Sequence, residues 1–354
     1  MSDNRSMIAE SVAKILAQQM SPAVLAAAEE GRWPDALWQE LEAAGFIDVL
    51  KPESDGGTGG GWADAYPVLH SLGYARVPLP VAETLVGNGL LAQAGIGSGP
   101  GTCALVQQRL GDDLRLTIDR GQLRLDGQSN GIPWARQSER LVVGGRVGDR
   151  AVIGVVRLPD PGAVVVNGRS IASEPLDAIA FDNCFCAAFA EVTGALAGDQ
   201  LLVGGALARS VQMAGALQWV LEQTVRHATE RQQFARPLAG FQAVKQLLAV
   251  MATEVAAASM AAEVACEAMT KGDARFEVAV AKIRTGQAVA IAGMNAHQVH
   301  GAMGFTYEHT LHFATRRLWS WRADYGNEAH WAQEIGHAAI ARGGDAFWQD
   351  LTAA

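Results

Sequence analysis

Hydrophobic and polar positions along the chain fall into three textures. In the first, Ile8, Val12, Ile15 and Leu16 recur near helical spacing, with Ser6 placed to cap their helix. Trp33-Pro34-Asp35 opens a second helix whose apolar residues are Leu37, Leu41 and Phe46. The breaker cluster Pro52-Glu53-Ser54-Asp55-Gly56-Gly57-Thr58-Gly59-Gly60-Gly61 predicts a loop. Helical pattern returns from Trp62 to Ala94 and is interrupted around Pro78 and Pro80. The glycine-rich stretch Gly95 to Gly101 reads as a linker. Beyond it the period shortens. Leu114–Ile118, Gln122–Leu125, Arg140–Val143, Ala151–Val156 and Ala163–Val166 alternate or run β-branched between turn signals, predicting a small antiparallel β domain. After Thr193 the pattern is helical to the end. Long helices are predicted from Leu201 to Glu230, from Phe241 to Lys271 and from Phe276 to about Val299, with Pro237 and Gly240 breaking the first from the second. The fold class is therefore α+β and multi-domain: a helical domain over 1–98, a β domain over 99–194 and a four-helix-type bundle over 195–354.

Composition narrows the function. Among 354 residues, 49% are hydrophobic and 18% charged, which excludes a disordered chain. The net charge of −9 and the lack of any basic run argue against a nucleic-acid partner. The N-terminal residues carry Asp3 and Glu10 without a continuous apolar core, so no signal peptide is expected. No uninterrupted apolar run reaches the ~20 residues that span a bilayer, and a soluble, cytoplasmic protein is expected. Cys103, Cys184, Cys186 and Cys266 match no metal or disulfide spacing and read as buried thiols.

Two stretches carry the candidate chemistry. The first runs Arg231-Gln232-Gln233-Phe234-Ala235-Arg236-Pro237-Leu238-Ala239-Gly240-Phe241-Gln242. On a helical or near-helical turn, Arg231 and Phe234 would project to one side. The planar arginine fork matches two oxygens of a pyrophosphate, at roughly 1.5–3 kcal/mol for a charge-assisted bond, and a phenylalanine can cover an adenine or ribose. The second runs His297-Gln298-Val299-His300-Gly301-Ala302-Met303-Gly304-Phe305-Thr306. Here a glutamine and small residues let backbone approach a pyrophosphate closely. His297 and His300, like His309 and His312, stand at i, i+3 without a carboxylate or third ligand, so no metal is expected.

These motifs, with the Lys51-Pro52-Glu53 to Gly59 turn and the order of domains, resemble the acyl-CoA dehydrogenases over essentially the whole chain. The resemblance implies FAD. It also implies that Arg231, Phe234, Gln242, Gln298, Gly301, Ala302 and Gly304 bind the cofactor, reaching across a subunit interface to a neighbour's adenosine diphosphate half. Ala302 replaces the usual second glycine and costs room only if its φ is positive.

The resemblance also fails where the chemistry should be. The family removes an α-proton from a thioester with a glutamate while flavin N5 takes the β-hydride. One glutamate position, in a Tyr-Glu-Gly turn, falls on Tyr325 within Asp324-Tyr325-Gly326; the other falls on Gly205-Ala206. Asp324 and Glu328 are the nearest carboxylates, each out of register. In the β domain, Cys103-Ala104-Leu105-Val106-Gln107-Gln108 replaces the family's Thr-Glu-Pro strand, and Gly131-Ile132-Pro133-Trp134 replaces its Trp-x-Thr motif. Proline removes both a hydroxyl and an N–H that a flavin could use.

The leading expectation is a non-catalytic subunit, similar to the short subunit of heteromeric α2β2 steroid side-chain acyl-CoA dehydrogenases. It would complete the FAD site of a longer partner carrying the catalytic glutamate, act on an acyl-CoA and pass electrons to an electron-transfer flavoprotein-type acceptor. A widened pocket would suit a polycyclic acyl group. One alternative is a self-sufficient homotetrameric dehydrogenase using Asp324 or Glu328 as base. The other is a flavin-free structural paralogue.

Overall fold

The computed structural model describes residues 3–108, 113–194, 199–272, 274–346 and 348. Among the described residues the N-terminal part holds five α-helices: α1 (Asp3–Gln19), α2 (Pro22–Glu29), α3 (Asp35–Ala43), α4 (Trp62–Ala75) and α5 (Val81–Gln93). Ser6 lies inside α1 rather than capping it. The N-cap role belongs to Ser21 of α2, whose hydroxyl accepts from Val24 N–H with Pro22 at the first helical position.

Eight strands follow. β1 (Cys103–Gln107), β4 (Arg140–Val147), β5 (Arg150–Arg157) and β8 (Ala188–Val192) form one sheet in the order β1-β4-β5-β8. β2 (Arg115–Asp119), β3 (Gln122–Pro133), β7 (Leu176–Phe185) and β6 (Ala163–Val166) form the other, in the order β2-β3-β7-β6. The expected all-antiparallel domain is corrected at one pairing: β1 runs parallel to β4, Cys103 opposite Arg140 and Gln107 opposite Gly144. β1 enters from the helical domain on the edge of the sheet, so no hairpin fixes its direction. The sheets bury Val106, Leu116, Leu123, Leu125, Leu141, Val143 and Phe181 between them.

In the C-terminal part α6 (Gln200–Glu230), α7 (Gln242–Lys271) and α8 (Arg275–His300) form the bundle, followed by α9 (Leu311–Trp321) and α10 (Glu328–Arg342). A two-residue hairpin, Gln232–Gln233 (β9) against Arg236–Pro237 (β10), joins α6 to α7. From Leu201 to Leu217 α6 is buried on every side, which makes it the central helix. Gly73 of α4 and Gly215 of α6 allow those two helices to touch backbone to backbone. A Cβ on Gly73 would collide with the Gln212 carbonyl, and one on Gly215 with the His70 carbonyl.

α7 departs from expectation. Its 30 residues contain an 18-residue window with mean hydropathy 1.6, of which 22% is buried, so by length and composition it could cross a membrane. Glu254 and Glu263 interrupt the run, which is why no uninterrupted span stands out in the sequence. Val250, Met260 and Val264 of α7 and Met294 of α8 remain exposed.

Candidate functional site

The two positions where a base is expected meet in space. A Cβ on Gly205 would lie 2.5 Å from Cδ1 of Tyr325. The phenol ring thus occupies the volume a side chain at position 205 would need, and Tyr325 is buried with φ of 56°. Its hydroxyl donates to Oε1 of Glu83 at 3.4 Å. Arg209, one turn along α6, donates from Nη2 to the same Glu83 oxygen at 2.6 Å and from Nη1 to Gln212 Oε1 at 2.6 Å. Nε of Arg209 pairs with Asp324 Oδ2 at 3.1 Å. The space bounded by Glu83, Leu105, Gly205, Arg209, Gln212 and Tyr325 has no room for a water molecule. The expected widened pocket is corrected here: between the two positions where a base is expected the space is filled by the Tyr325 ring.

Electrostatics keep the cluster closed. Burial pushes the Glu83 carboxyl above its ordinary range, and the Arg209 guanidinium pulls the other way. Burial also works against the Arg209 charge, yet the Glu83 and Asp324 carboxylates outweigh it and raise its pKa. Asp324 is thus committed to Arg209. Glu328, the other candidate base, is bound by Arg322 Nε at 2.6 Å and lies over Gly286, where a Cβ would collide with it. Each candidate carboxylate is thus paired with an arginine. Glu83 and Arg209 were not singled out in the sequence. The signal was one acidic residue in the apolar run of α5 and one arginine in the apolar stretch of α6, opposite charges that can only be buried together.

Two other departures are placed as follows. Pro133 closes β3 opposite Leu176, and Trp134 follows with φ of 64° and is buried. Trp134 borders a cavity of about 170 Å³ with Arg136, Glu174 and Arg317. Glu174 accepts from Arg317 Nε at 2.8 Å and from Trp321 Nε1 at 3.0 Å, fastening the loop before β7 to α9. In β1, Gln107 turns inward and donates to the Gly144 carbonyl at 3.3 Å.

The cofactor candidates lie at the opposite extreme of exposure. Arg231 follows α6 and is exposed. Phe234 sits at the tip of the β9–β10 hairpin with 86% of its surface exposed. The expected helical turn between them is corrected to this hairpin, whose tip residues Phe234 and Ala235 have φ of 52° and 62°. That is the geometry of a type I′ turn, which normally uses Asn-Gly. Phe234 meets Phe241 edge-on at 6.1 Å, and Arg236 lies 3.9 Å over the Phe241 ring. Gln242 opens α7 and is exposed. Gln298 is exposed on the last turn of α8. Gly301 takes φ of 60° with open space where a Cβ would be. Ala302 has no positive φ, so its methyl costs no backbone strain. Gly304 is buried, a Cβ there meeting His300 Cβ at 3.0 Å.

Both motifs stand at one end of the bundle. His227, one turn before Arg231, stacks on His300, the residue before Gly301, with ring centroids 4.3 Å apart. His309 meets His300 edge-on at 4.8 Å. Burial first, and then the neighbouring imidazoles, lower the His300 pKa to about 4 against the upward pull of the Ala296 carbonyl. The i, i+3 partners go elsewhere. His297 shares a hydrogen bond with Thr315 and stacks on Phe305, and His312 sits against Arg316. The sequence pairing of histidines is therefore corrected: a third imidazole does accompany His300, and it comes from α6.

The arrangement offers exposed donors and a flat apolar ring for an anionic nucleotide, while Asp324 and Glu328 are each held by an arginine. Models of the acyl-CoA dehydrogenase N-terminal and C-terminal domains match residues 2–98 and 195–335. The chain is 29% identical over 319 residues to acyl-CoA dehydrogenase IpdE2 of Mycobacterium tuberculosis (strain ATCC 25618 / H37Rv), covering 89% of this chain and 91% of that protein. In fold it is similar to the ChsE4-ChsE5 complex from Mycobacterium tuberculosis, with TM-score 0.88 and 22% identity over 95% of this chain and 97% of that one. It is equally similar to a variant of the Tcur3481-Tcur3483 steroid ACAD, with TM-score 0.88 and 22% identity over 96% and 98% of the two chains. With both terminal domains matched and the same helix–sheet–helix order throughout, this chain belongs to the acyl-CoA dehydrogenase family of oxidoreductases.

Proposed function

We propose that this chain is the non-catalytic subunit of a heteromeric FAD-dependent acyl-CoA dehydrogenase and completes the FAD site of a longer, catalytic partner. One observation carries the reading: Tyr325, packed on Gly205, fills the space the family's base requires, while both cofactor motifs remain exposed at one end of the bundle. The space between Tyr325 and Gly205 holds no room for a substrate or a base, which supports a flavin ring used by a partner and not by this chain. The exposed motif residues fit the adenosine diphosphate half of a flavin held mainly by a neighbour.

In that role Arg231 would hold the pyrophosphate, Phe234 would cover the adenosine, and Gln242 and Gln298 would donate to phosphate or ribose oxygens. Gly301 to Gly304 would let backbone N–H groups approach the pyrophosphate. Bound FAD supplies acceptance of the β-hydride. The α-proton would go to the partner's carboxylate, since Asp324 and Glu328 are each held by an arginine. The exposed apolar faces of α7 and α8 are the surface we assign to the partner. A steroid side-chain CoA ester is the proposed substrate class and an electron-transfer flavoprotein-type protein the proposed acceptor, both in a cytoplasmic enzyme. The fold likeness to the Tcur3481-Tcur3483 steroid ACAD supports the first of these, and the likeness to the ChsE4-ChsE5 complex supports assembly with a partner.

Coexpression with a longer dehydrogenase should give a yellow complex holding one FAD per heterodimer, and the chain alone should purify without FAD. Arg231→Ala should cut FAD retention in the complex by about ten-fold, the equivalent of ~1.4 kcal/mol. A yellow, active homo-oligomer of this chain alone would overturn the proposal. A chain that stays flavin-free with every candidate partner would favour a structural paralogue.

A further inference from the structure

We propose that His227, His300 and His309 form a binding site for a zinc-class divalent metal ion. The three residues come from three segments: the last turn of α6, the last residue of α8 and the turn that precedes α9. One nitrogen donor from each lies within 4.8 Å of the other two. Three imidazoles are a recognised zinc donor set that leaves the fourth tetrahedral position for water.

His300 is the anchor. Its Nδ1 lies 2.8 Å from the Ala296 carbonyl, which can only accept, so the ring proton is fixed on Nδ1. Nε2 therefore carries a free lone pair. That atom is buried, has no hydrogen-bond partner, and belongs to the ring on which His227 stacks and which His309 meets edge-on. A buried imidazole nitrogen without a partner costs stability, and a carbonyl-fixed tautomer is the usual support of a metal-binding histidine.

Three rearrangements close the site, the first being that the His227 ring, stacked on His300 at 25°, must turn so that a nitrogen lone pair points at the ion in its own ring plane. Donors bound at 2.0–2.1 Å to one tetrahedral ion stand roughly 3.4 Å apart, so the rings must approach by about 1.4 Å at the widest pair. His309 must also give up the bond its Nδ1 accepts from Leu311 N–H at 3.1 Å if it binds through Nε2, because a neutral ring then carries its proton on Nδ1. These movements fall on the partly exposed rings, His227 and His309, while the buried His300 stays in place. Because the same three segments lead into Arg231, Gly301 and α9, an ion here would tie the two cofactor motifs to each other. The assignment itself needs no flavin.

The test uses the full chain, with its partner subunit where one copurifies, stripped by a chelator and titrated with Co²⁺ as probe. The expected result is one Co²⁺ per chain with the intense visible bands of a tetrahedral site, displaced by Zn²⁺. His227→Gln and His309→Gln should each weaken binding by about 100-fold or more, since even loss of a supporting hydrogen bond costs 10–100-fold. His337→Gln, on α10, should bind as the parent does. Near-ultraviolet circular dichroism and cooperative thermal unfolding verify that each variant is folded. Absence of stoichiometric Co²⁺ binding by the folded parent chain overturns the proposal. So does wild-type affinity in both the His227 and His309 variants, which would place the ion elsewhere.

Discussion

At position 325 a phenol stands where the family resemblance leads one to expect a carboxylate, and the reason it cannot simply be reversed lies in its neighbours. Glu83 and Asp324 already share the single guanidinium of Arg209. A third carboxylate in that closed space would be buried without a counter-ion. Tyr325→Glu is expected to destabilise the chain by about 2–4 kcal/mol and to produce no acyl-CoA oxidation by the isolated chain. Thermal melts and a dye-coupled assay check the two halves of that expectation. Arg209→Met should cost more, about 3–5 kcal/mol, because it strands two buried carboxylates; urea titration reads it directly. Lys282 is a different kind of buried charge. Its amine donates to the carbonyls of Trp321 and Arg322 at 3.1 and 2.8 Å, and burial lowers its pKa to about 7 despite Asp324 and Glu328. A lysine whose folded pKa lies below its unfolded 10.5 adds stability that is present at high pH and fades as pH falls toward 7. The melting temperature of the parent relative to Lys282→Met should therefore rise between pH 7 and 10. A difference that is flat across that range would contradict the assignment.

Among elements, α4 and α6 meet backbone to backbone at Gly73 and Gly215. No side chain fits between the His70 carbonyl and Gly215, so the N-terminal helices and the bundle are joined by backbone contact. Gly215→Ala is expected to cost about 3 kcal/mol, the upper end for overpacking, with a matching drop in the urea midpoint. Leu201 to Glu230, Phe241 to Lys271 and Phe276 to Val299 were legible as helices because each is long, alanine-rich and free of proline. Their observed bounds differ from expectation by one residue at most at either end. The hairpin between α6 and α7 was not legible, because Phe234-Ala235 carries no turn signal. Both residues take left-handed φ, a conformation that costs an ordinary side chain roughly 1–2 kcal/mol. The parallel direction of β1 was likewise hidden, since alternation along a strand is the same for either direction.

For the whole molecule, the distribution of exposed apolar surface matters most. Met294 on α8 is exposed together with Phe234, Phe305 and Tyr307 near the cofactor motifs, while Met260 and Val264 are exposed in the half of α7 away from those motifs. Under the heteromer proposal they become buried on assembly. Met294→Glu, at a side chain 67% exposed, should change the stability of the chain alone by less than about 0.5 kcal/mol. It should weaken association with the catalytic partner by at least ten-fold, as sedimentation velocity of the coexpressed pair would measure. Equal loss of stability and assembly would mean instead that this face is part of the fold.

Sequence alone determined the order of helical, β and helical parts, the long helices of the bundle and the family resemblance. These follow from local period, local propensity and motif, all written in consecutive residues. Only the tertiary structure decided that Tyr325 fills the space over Gly205, that Glu83 from a distant helix shares Arg209 with Asp324, and that His227 joins His300 and His309. Those arrangements join residues 70 to 240 positions apart. No periodicity specifies such pairings; they are set by which helix faces pack together and by the cost of burying a charge or a lone pair without a partner.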